Sequence, residues 1–424
     1  MEREMDQMKN KWLCLPVALA LLLTACQSAS GAAVAVSTPV SLGTRIEKLV
    51  QKATEVHLVF NLAVGSVTQT ENTLESCLHY VGANRARYED YQKAHPELDP
   101  WDVVTYVNIG LDHPFYTNIQ TTVNPDSLLA LCNKYWKMPD GYAPSDLRRL
   151  PASLAAGSAN QMRREAADAF EQLCADAQKE GYTILAQSAY RSYATQVSLY
   201  ARYAAQDGTA NADIYSARAG HSDHQTGLVV DVKNGSRPYN RFGQTAEYQW
   251  AKDNIHKYGF IIHYPSGKQA ITGYKTEEWH WRYVGKETAT ALYTLGITLD
   301  EYWAIFQSGS AHTDPPSLTS DTTERLTLQQ GAAYTFQFKP AGSLSIPTFT
   351  TGDGTVLRTS GLSFRQGKYL LSVQGLAPGS TNLYVSFDGQ APIRLCSVTV
   401  QAGASGSASA ALIPSASNLA LSER

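Results

Sequence analysis

The sequence predicts two architectures in succession, a mixed α+β region through the middle of the chain and an all-β sandwich after it. Three observations carry this. Between Gly157 and Tyr258, apolar residues recur at helical spacing in some stretches and form short continuous runs in others. From Leu326 to Val400 the pattern changes to short alternating runs such as Tyr334–Phe338 and Asn382–Phe387, punctuated by Gly, Pro and Ser turns at the spacing of sandwich strands. A Ser-, Pro- and Thr-rich stretch over 308–317 separates the two patterns. With 424 residues the chain has room for about two or three domains.

Residues 1–26 read as an export signal: Arg3, Lys9 and Lys11 precede an apolar run from Trp12 to Leu23. That run is shorter than the roughly 20 residues a membrane span needs. Glu2, Glu4 and Asp6 are atypical of such a leader, and a start at Met8 removes them. Leu23-Thr24-Ala25-Cys26 resembles a bacterial lipobox, which implies lipidation at Cys26 and an extracytoplasmic, lipid-anchored position on the bacterial cell membrane. A plain secretory signal with a coincidental Cys is the alternative. Residues 27–43 read as a flexible tether, and 44–122 as an accessory segment in which Trp101–Asn108 forms a short helix or strand.

Leu128–Pro139 opens with a strand-like apolar run. The clearest helix falls within Gly157–Gly181, where Met162, Ala166, Ala169, Phe170, Leu173 and Ala177 share one face. A strand over Tyr182–Gln187 follows, and Ser188–Ser192 lies at its end, before a helix near Tyr193 and well placed to face a cleft. Further on come a helix over Tyr248–Tyr258, a strand over Phe260–His263 and a helical pair over Lys286–Phe306 broken near Gly296. A linker occupies 308–325, the sandwich 326–402, and an Ala/Ser-rich tail 403–424 that composition marks as disordered. A net charge of −3 gives no reason to expect nucleic acid as a partner. Cys77, Cys132, Cys174 and Cys396 are scattered and read as single buried thiols.

The candidate chemistry gathers in Ala217–Lys233, ARAGHSDHQTGLVVDVK. Leu228–Val232 reads as a buried strand, and Asp231 inside it is costly unless it is paired or bound to a metal. His224 lies upstream, across a turn that Thr226-Gly227 can supply. A second cluster, TEEWHWRY over Thr276–Tyr283, adds Glu277 and His280. Two imidazoles, a ligand carboxylate and a spare carboxylate make the inventory of a catalytic zinc site: three protein ligands, an open position and a base. Each His alone reads more readily as a hydrogen-bonded core residue; grouping with Glu277 weighs against that reading. Glu277 and His280 would point to opposite faces of a regular strand, so a turn or kink is expected between them. Glu278 competes with Glu277 as base, and His221 with His224 as ligand.

Ser222-x-His224-x-x-Gly227-x-Val229-x-Asp231 followed by Glu277-x-x-His280 resembles the VanY-type D-alanyl-D-alanine carboxypeptidases, a group of zinc peptidases. SDHQTGLVVD and WHWRYVG widen the match, which runs from about Val123 to Gln307; Ala219 and Glu278 stand where Pro is common. The resemblance implies an α+β zinc peptidase domain over 123–307, an antiparallel sheet with flanking helices. It implies Zn2+ on His224, Asp231 and His280, Glu277 as general base, and His221 in support. Tyr190-Arg191-Ser192 with Gln196 resembles the substrate-binding segment, so Arg191, Gln196 and Ser222 are expected to bind the peptide, with the Arg191 guanidinium on its terminal carboxylate. The activity implied is removal of the terminal D-Ala from peptidoglycan stem peptides. An L,D-carboxypeptidase acting on tetrapeptides and an endopeptidase of the same fold are the rivals. A binding protein with a structural metal is a third, which an intact Glu277 argues against. The β sandwich reads as an accessory module and a candidate for cell-wall contact.

Overall fold

The computed structural model describes residues 73–156, 160–308, 314–322, 324–388 and 390–403. The leader with Cys26, the tether and nearly all of the tail lie outside the described residues. No helix among the described residues is long and apolar enough to cross a membrane.

Helix α1 (Arg85–Ala94) precedes α2 (Pro100–Ile109). Trp101–Asn108 is therefore helical, because Asp99 caps the Trp101 N–H at 2.9 Å, Pro100 opens the first turn and Gly110 closes the last at φ +108°. Strands β1 (Gln120–Thr121) and β2 (Trp136–Lys137) form a short parallel pair. The strand-like run from Leu128 is not a strand. Asn133 Oδ1 accepts the N–H groups of Tyr135 and Trp136, both at 2.9 Å, and that local turn takes the backbone out of extension.

Strands β3 (Leu147–Arg149) and β4 (Gln161–Arg163) pair, and α3 (Arg164–Lys179) buries Ala166, Phe170, Leu173 and Ala177 as its periodicity requires. Then come β5 (Leu185–Ser188), α4 (Tyr193–Asp207), α5 (Thr209–Tyr215), β6 (Val229–Lys233), α6 (Ala246–Asn254), β7 (Phe260–Tyr264), α7 (Gln269–Thr272), β8 (Glu277–Tyr283), α8 (Lys286–Leu295) and α9 (Leu299–Tyr302). The sheet runs β5-β6-β8-β7, antiparallel throughout. Alternation sets its two faces. Val230, Val232, Trp279, Trp281 and Tyr283 turn into the core with Phe170 and Phe260, while Asp231 and His280 stand on the other face.

Strands β9 (Ser317–Ser320), β10 (Arg325–Gln329), β11 (Ala333–Ala341), β12 (Thr348–Thr351), β13 (Leu357–Arg365), β14 (Lys368–Gly375), β15 (Gly379–Ser386) and β16 (Ile393–Gln401) make the C-terminal part as two four-stranded sheets, β10-β16-β15-β12 and β13-β14-β11-β9. The β10 and β16 pair is parallel, the others antiparallel. Their inner faces hold Phe336, Phe338, Leu371, Val373, Leu383 and Val398, and the same core takes in Trp101, Val103, Val104 and Val107 of α2. The four described cysteines are buried and outside any disulfide.

Candidate active site

Cross-strand register builds the site. Asp231 of β6 stands directly opposite His280 of β8, and Ser188 at the end of β5 stands opposite Asp231. Such partners have Cβ atoms about 5 Å apart, so their side chains meet without any loop. The kink expected between Glu277 and His280 is a bulge: β7 advances from Ile262 to Tyr264 while β8 advances from Trp281 to Glu277. Two extra residues on β8 rotate Glu277 onto the face of His280, its Oε2 3.7 Å from His280 Nδ1. His224 comes from a 3-10 turn, Asp223–Thr226, closed by Gly227 at φ +67°. A side chain on Gly227 would meet Leu147 Cδ2 at 2.9 Å, so the turn that aims His224 requires Gly.

Both imidazoles are held with a lone pair facing Asp231. His224 Nδ1 donates to the Ala189 carbonyl at 2.7 Å, leaving Nε2 3.4 Å from Asp231 Oδ2. His280 Nε2 donates to Asp223 Oδ2 at 2.9 Å, leaving Nδ1 3.1 Å from Asp231 Oδ1. That oxygen is buried, and for all its nearness to Nδ1 it has no hydrogen-bond partner. Lone pairs converging on an unpartnered buried carboxylate call for a cation between them, and two nitrogens with one oxygen suit zinc. His224, Asp231 and His280 thus fit a zinc ion. Among the described residues Asp223, His224 and His280 also bring ligand atoms within 4.8 Å of one another. Asp223, however, sits on the Nε2 side of His280 and already takes His263 Nδ1 at 2.7 Å through the same oxygen. Its role is to orient His280.

Electrostatics agree. Burial disfavours charge on Asp223 and Asp231, but the neighbouring imidazoles outweigh it and hold both carboxyls below the usual range. Burial likewise opposes charge on His280, which Asp223 and Asp231 nonetheless raise to about 10. A positive charge belongs between these carboxylates, and a proton or a metal ion can provide it. Burial, and less strongly Asp231, raise Glu277 to about 8 against the pull of His280 and Lys275.

Arg191 reaches the same cleft. Its Nη1 donates to Gln196 Oε1 at 3.0 Å and its Nη2 to Ser188 Oγ at 3.1 Å, which leaves Nη2 3.9 Å from Asp231 Oδ2. Gln196 is buried and its Nε2 donates to the Ala217 carbonyl at 2.6 Å. It aims the guanidinium and does not line the cleft. Ser222 does line it, with Arg191, Tyr215, Tyr239, Lys275, Glu277 and Trp279, around a volume of about 330 Å³. His221 faces away: its Nδ1 meets the Asn133 carbonyl at 2.7 Å and its ring packs on Tyr116. Glu278 packs against Gly243 rather than in the cleft. Sequence reasoning passed over Asp223, His263 and Tyr264, whose ring lies 4.7 Å from that of His280. An acid wedged between Ser222 and His224 was the available signal for the first; His263 and Tyr264 end an apolar run and offered none.

A family model for VanY, D-alanyl-D-alanine carboxypeptidase, matches residues 159–286. A putative carboxypeptidase of Bacillus subtilis, YodJ, is 41% identical over 191 residues, 44% of this chain and 70% of that protein. The chain belongs to the VanY D-alanyl-D-alanine carboxypeptidase family. A D-alanyl-D-alanine carboxypeptidase of Enterococcus faecalis is 40% identical over 100 residues, 24% of this chain and 36% of that one. Among solved structures, that of the LdcB L,D-carboxypeptidase covers 45% of this chain and 91% of its own, at 39% identity and a TM-score of 0.42. Membership of the VanY family makes the chain a hydrolase of the carboxypeptidase class, and the ligand set described above is one that zinc fits.

Proposed function

We propose that the chain is a zinc-dependent carboxypeptidase that removes the terminal D-Ala from peptidoglycan stem peptides ending in D-Ala-D-Ala. The observation that supports it best is the Arg191 guanidinium, braced by Gln196 and Ser188 and aimed beside the metal ligands. An enzyme that cuts one residue from a free C terminus needs a carboxylate clamp beside its metal ligands. Bound by His224, Asp231 and His280, zinc supplies Lewis-acid activation of water and of the scissile carbonyl. Arg191 holds the terminal carboxylate and so fixes the scissile bond against the ligands. Glu277, buried beside His280, takes the proton of the attacking water at its carboxylate and returns it to the leaving amine. Asp223 keeps His280 from turning.

Mass spectrometry of a muropeptide pentapeptide, with and without chelator, tests this. One D-Ala should be lost, the chelator should stop the loss, and a C-terminally amidated pentapeptide should react poorly. Cleavage of the tetrapeptide in place of the pentapeptide would make the enzyme an L,D-carboxypeptidase. Equal cleavage of acid and amide would make it an endopeptidase. The setting we propose is extracytoplasmic, with Cys26 lipidated and the sandwich meeting the cell wall. Leu23-Thr24-Ala25-Cys26 supports the anchor, and Cys26→Ser should then release the protein from membranes.

A further inference from the structure

We propose that Lys275 forms a carboxylate-binding subsite in the cleft, which selects stem peptides carrying an acidic side chain on the residue that precedes the D-Ala-D-Ala pair. The proposal rests on the carboxypeptidase reading above and adds a substrate class to it. Lys275 lies two residues before Glu277, and its backbone N–H donates to the Ile214 carbonyl of α5 at 3.0 Å. Its ammonium stands 4.9 Å from the centroid of the Tyr215 ring, and both residues line the cleft with Glu277 and His280. A cation over an aromatic face is held in direction without its hydrogen-bonding capacity being used.

The other charges nearby are committed. Lys134 Nζ donates to the Asp213 carbonyl at 2.6 Å, Arg218 pairs with Asp213 at 2.8 Å, and Asp207 accepts the Tyr215 hydroxyl. Among the described residues the exposed Lys275 side chain has neither an ion pair nor a hydrogen bond, so its three donors are left for a ligand. Sheet order places it relative to the substrate. Arg191 follows β5, Lys275 precedes β8, and β6 with Asp231 runs between those strands. Two cations therefore flank the metal ligands. Arg191 takes the terminal carboxylate, so the peptide ahead of the scissile bond runs toward Lys275. There an acidic side chain gains a charge-assisted hydrogen bond and a basic one meets a like charge.

The test uses the full chain and three peptides, N-acetyl-X-D-Ala-D-Ala with X as L-Glu, L-Gln or L-Lys, compared by kcat/KM. Ratios between peptides are the readout, because Lys275 also bears on Glu277 and an effect on Glu277 cancels in a ratio. Wild type should favour Glu over Gln by about 5-fold, the upper range for a partly exposed ion pair, and less so at high salt. Lys275→Gln should bring that ratio to about 1, Lys275→Arg should keep it, and Lys275→Glu should put the Lys peptide ahead of the Glu peptide. Equal wild-type rates on Glu and Gln, or a preference that survives in Lys275→Gln, overturn the subsite and leave the carboxypeptidase reading standing. No cleavage of any of the three by metal-loaded wild type overturns both.

Discussion

Asp223 accepts two imidazole N–H groups through one oxygen, 2.7 Å from His263 and 2.9 Å from His280. An Asn at this position could accept both only by turning its NH2 toward other neighbours in a fully buried site. Asp223→Asn should therefore weaken zinc binding by about 10- to 100-fold, read by competition with a chromogenic chelator. Unchanged affinity would reduce Asp223 to a packing role. Glu277→Gln separates base from ligand. Turnover should fall by about 10²- to 10⁴-fold while bound zinc, measured by elemental mass spectrometry, stays at the wild-type level. Loss of metal in that variant would make Glu277 a ligand instead. What the sequence displayed of the site follows the same division. His224, Asp231, Glu277 and His280 stand out because each is a polar residue where an apolar strand or a tight turn leaves no cheap reason for one. Asp223 and Lys275 do not, since an acid or a lysine beside a turn is by default a solvated charge. Only the turn of Asp223 back toward His280, and the docking of the Lys275 backbone on α5, give them partners.

At the scale of elements, periodicity made α3, α8 and the alternating strands of the sandwich readable, because burial on one face dictates spacing. It could not show the bulge between β7 and β8, which exists only when two strands are laid side by side. Nor could it show that Asn133 would override an apolar run. Helix α2 supplies a prediction of its own. His79 is buried against it, with Nε2 2.9 Å from Thr105 Oγ1 and its ring 4.1 Å from that of Trp101. Burial lowers its pKa to about 3. The folded state thus favours the neutral ring, so the stabilisation is complete above the unfolded value near 6.5 and is lost as pH falls toward 3. Urea unfolding at pH 7 and pH 4.5 should show a loss on the order of 2 kcal/mol that His79→Asn largely removes. An equal pH dependence in the variant would assign the loss to other groups.

For the whole molecule, composition suggests a sandwich hung on a linker, whereas packing shows a sandwich core shared with α2, α8 and the segment beyond α9. Trp101 and Val104 of α2, Leu295 of α8 and Ile305 beyond α9 are buried in the same cluster as Phe336, Leu357, Phe364 and Leu371 of the sandwich. Trp101 meets Phe364 edge-on at 5.4 Å. The fit is closest at Gly367, where a Cβ would come within 2.5 Å of the Trp101 ring and where φ is +71°. Apolar surface shared in this way has no solvated alternative in either part. A chain ending at Ser308 should expose the α2 face, bind a hydrophobic dye and melt well below the full chain. Gly367→Ala should lower the melting temperature of the full chain without touching the cleft, through both the positive φ and the collision with Trp101. Calorimetry decides between a shared sandwich core and a separate one. A shared core predicts a single coupled transition in the full chain that shifts as a whole with Gly367→Ala. A freely hung module predicts two transitions, only the sandwich one moving, and a truncated peptidase whose melting temperature equals that of its transition in the full chain.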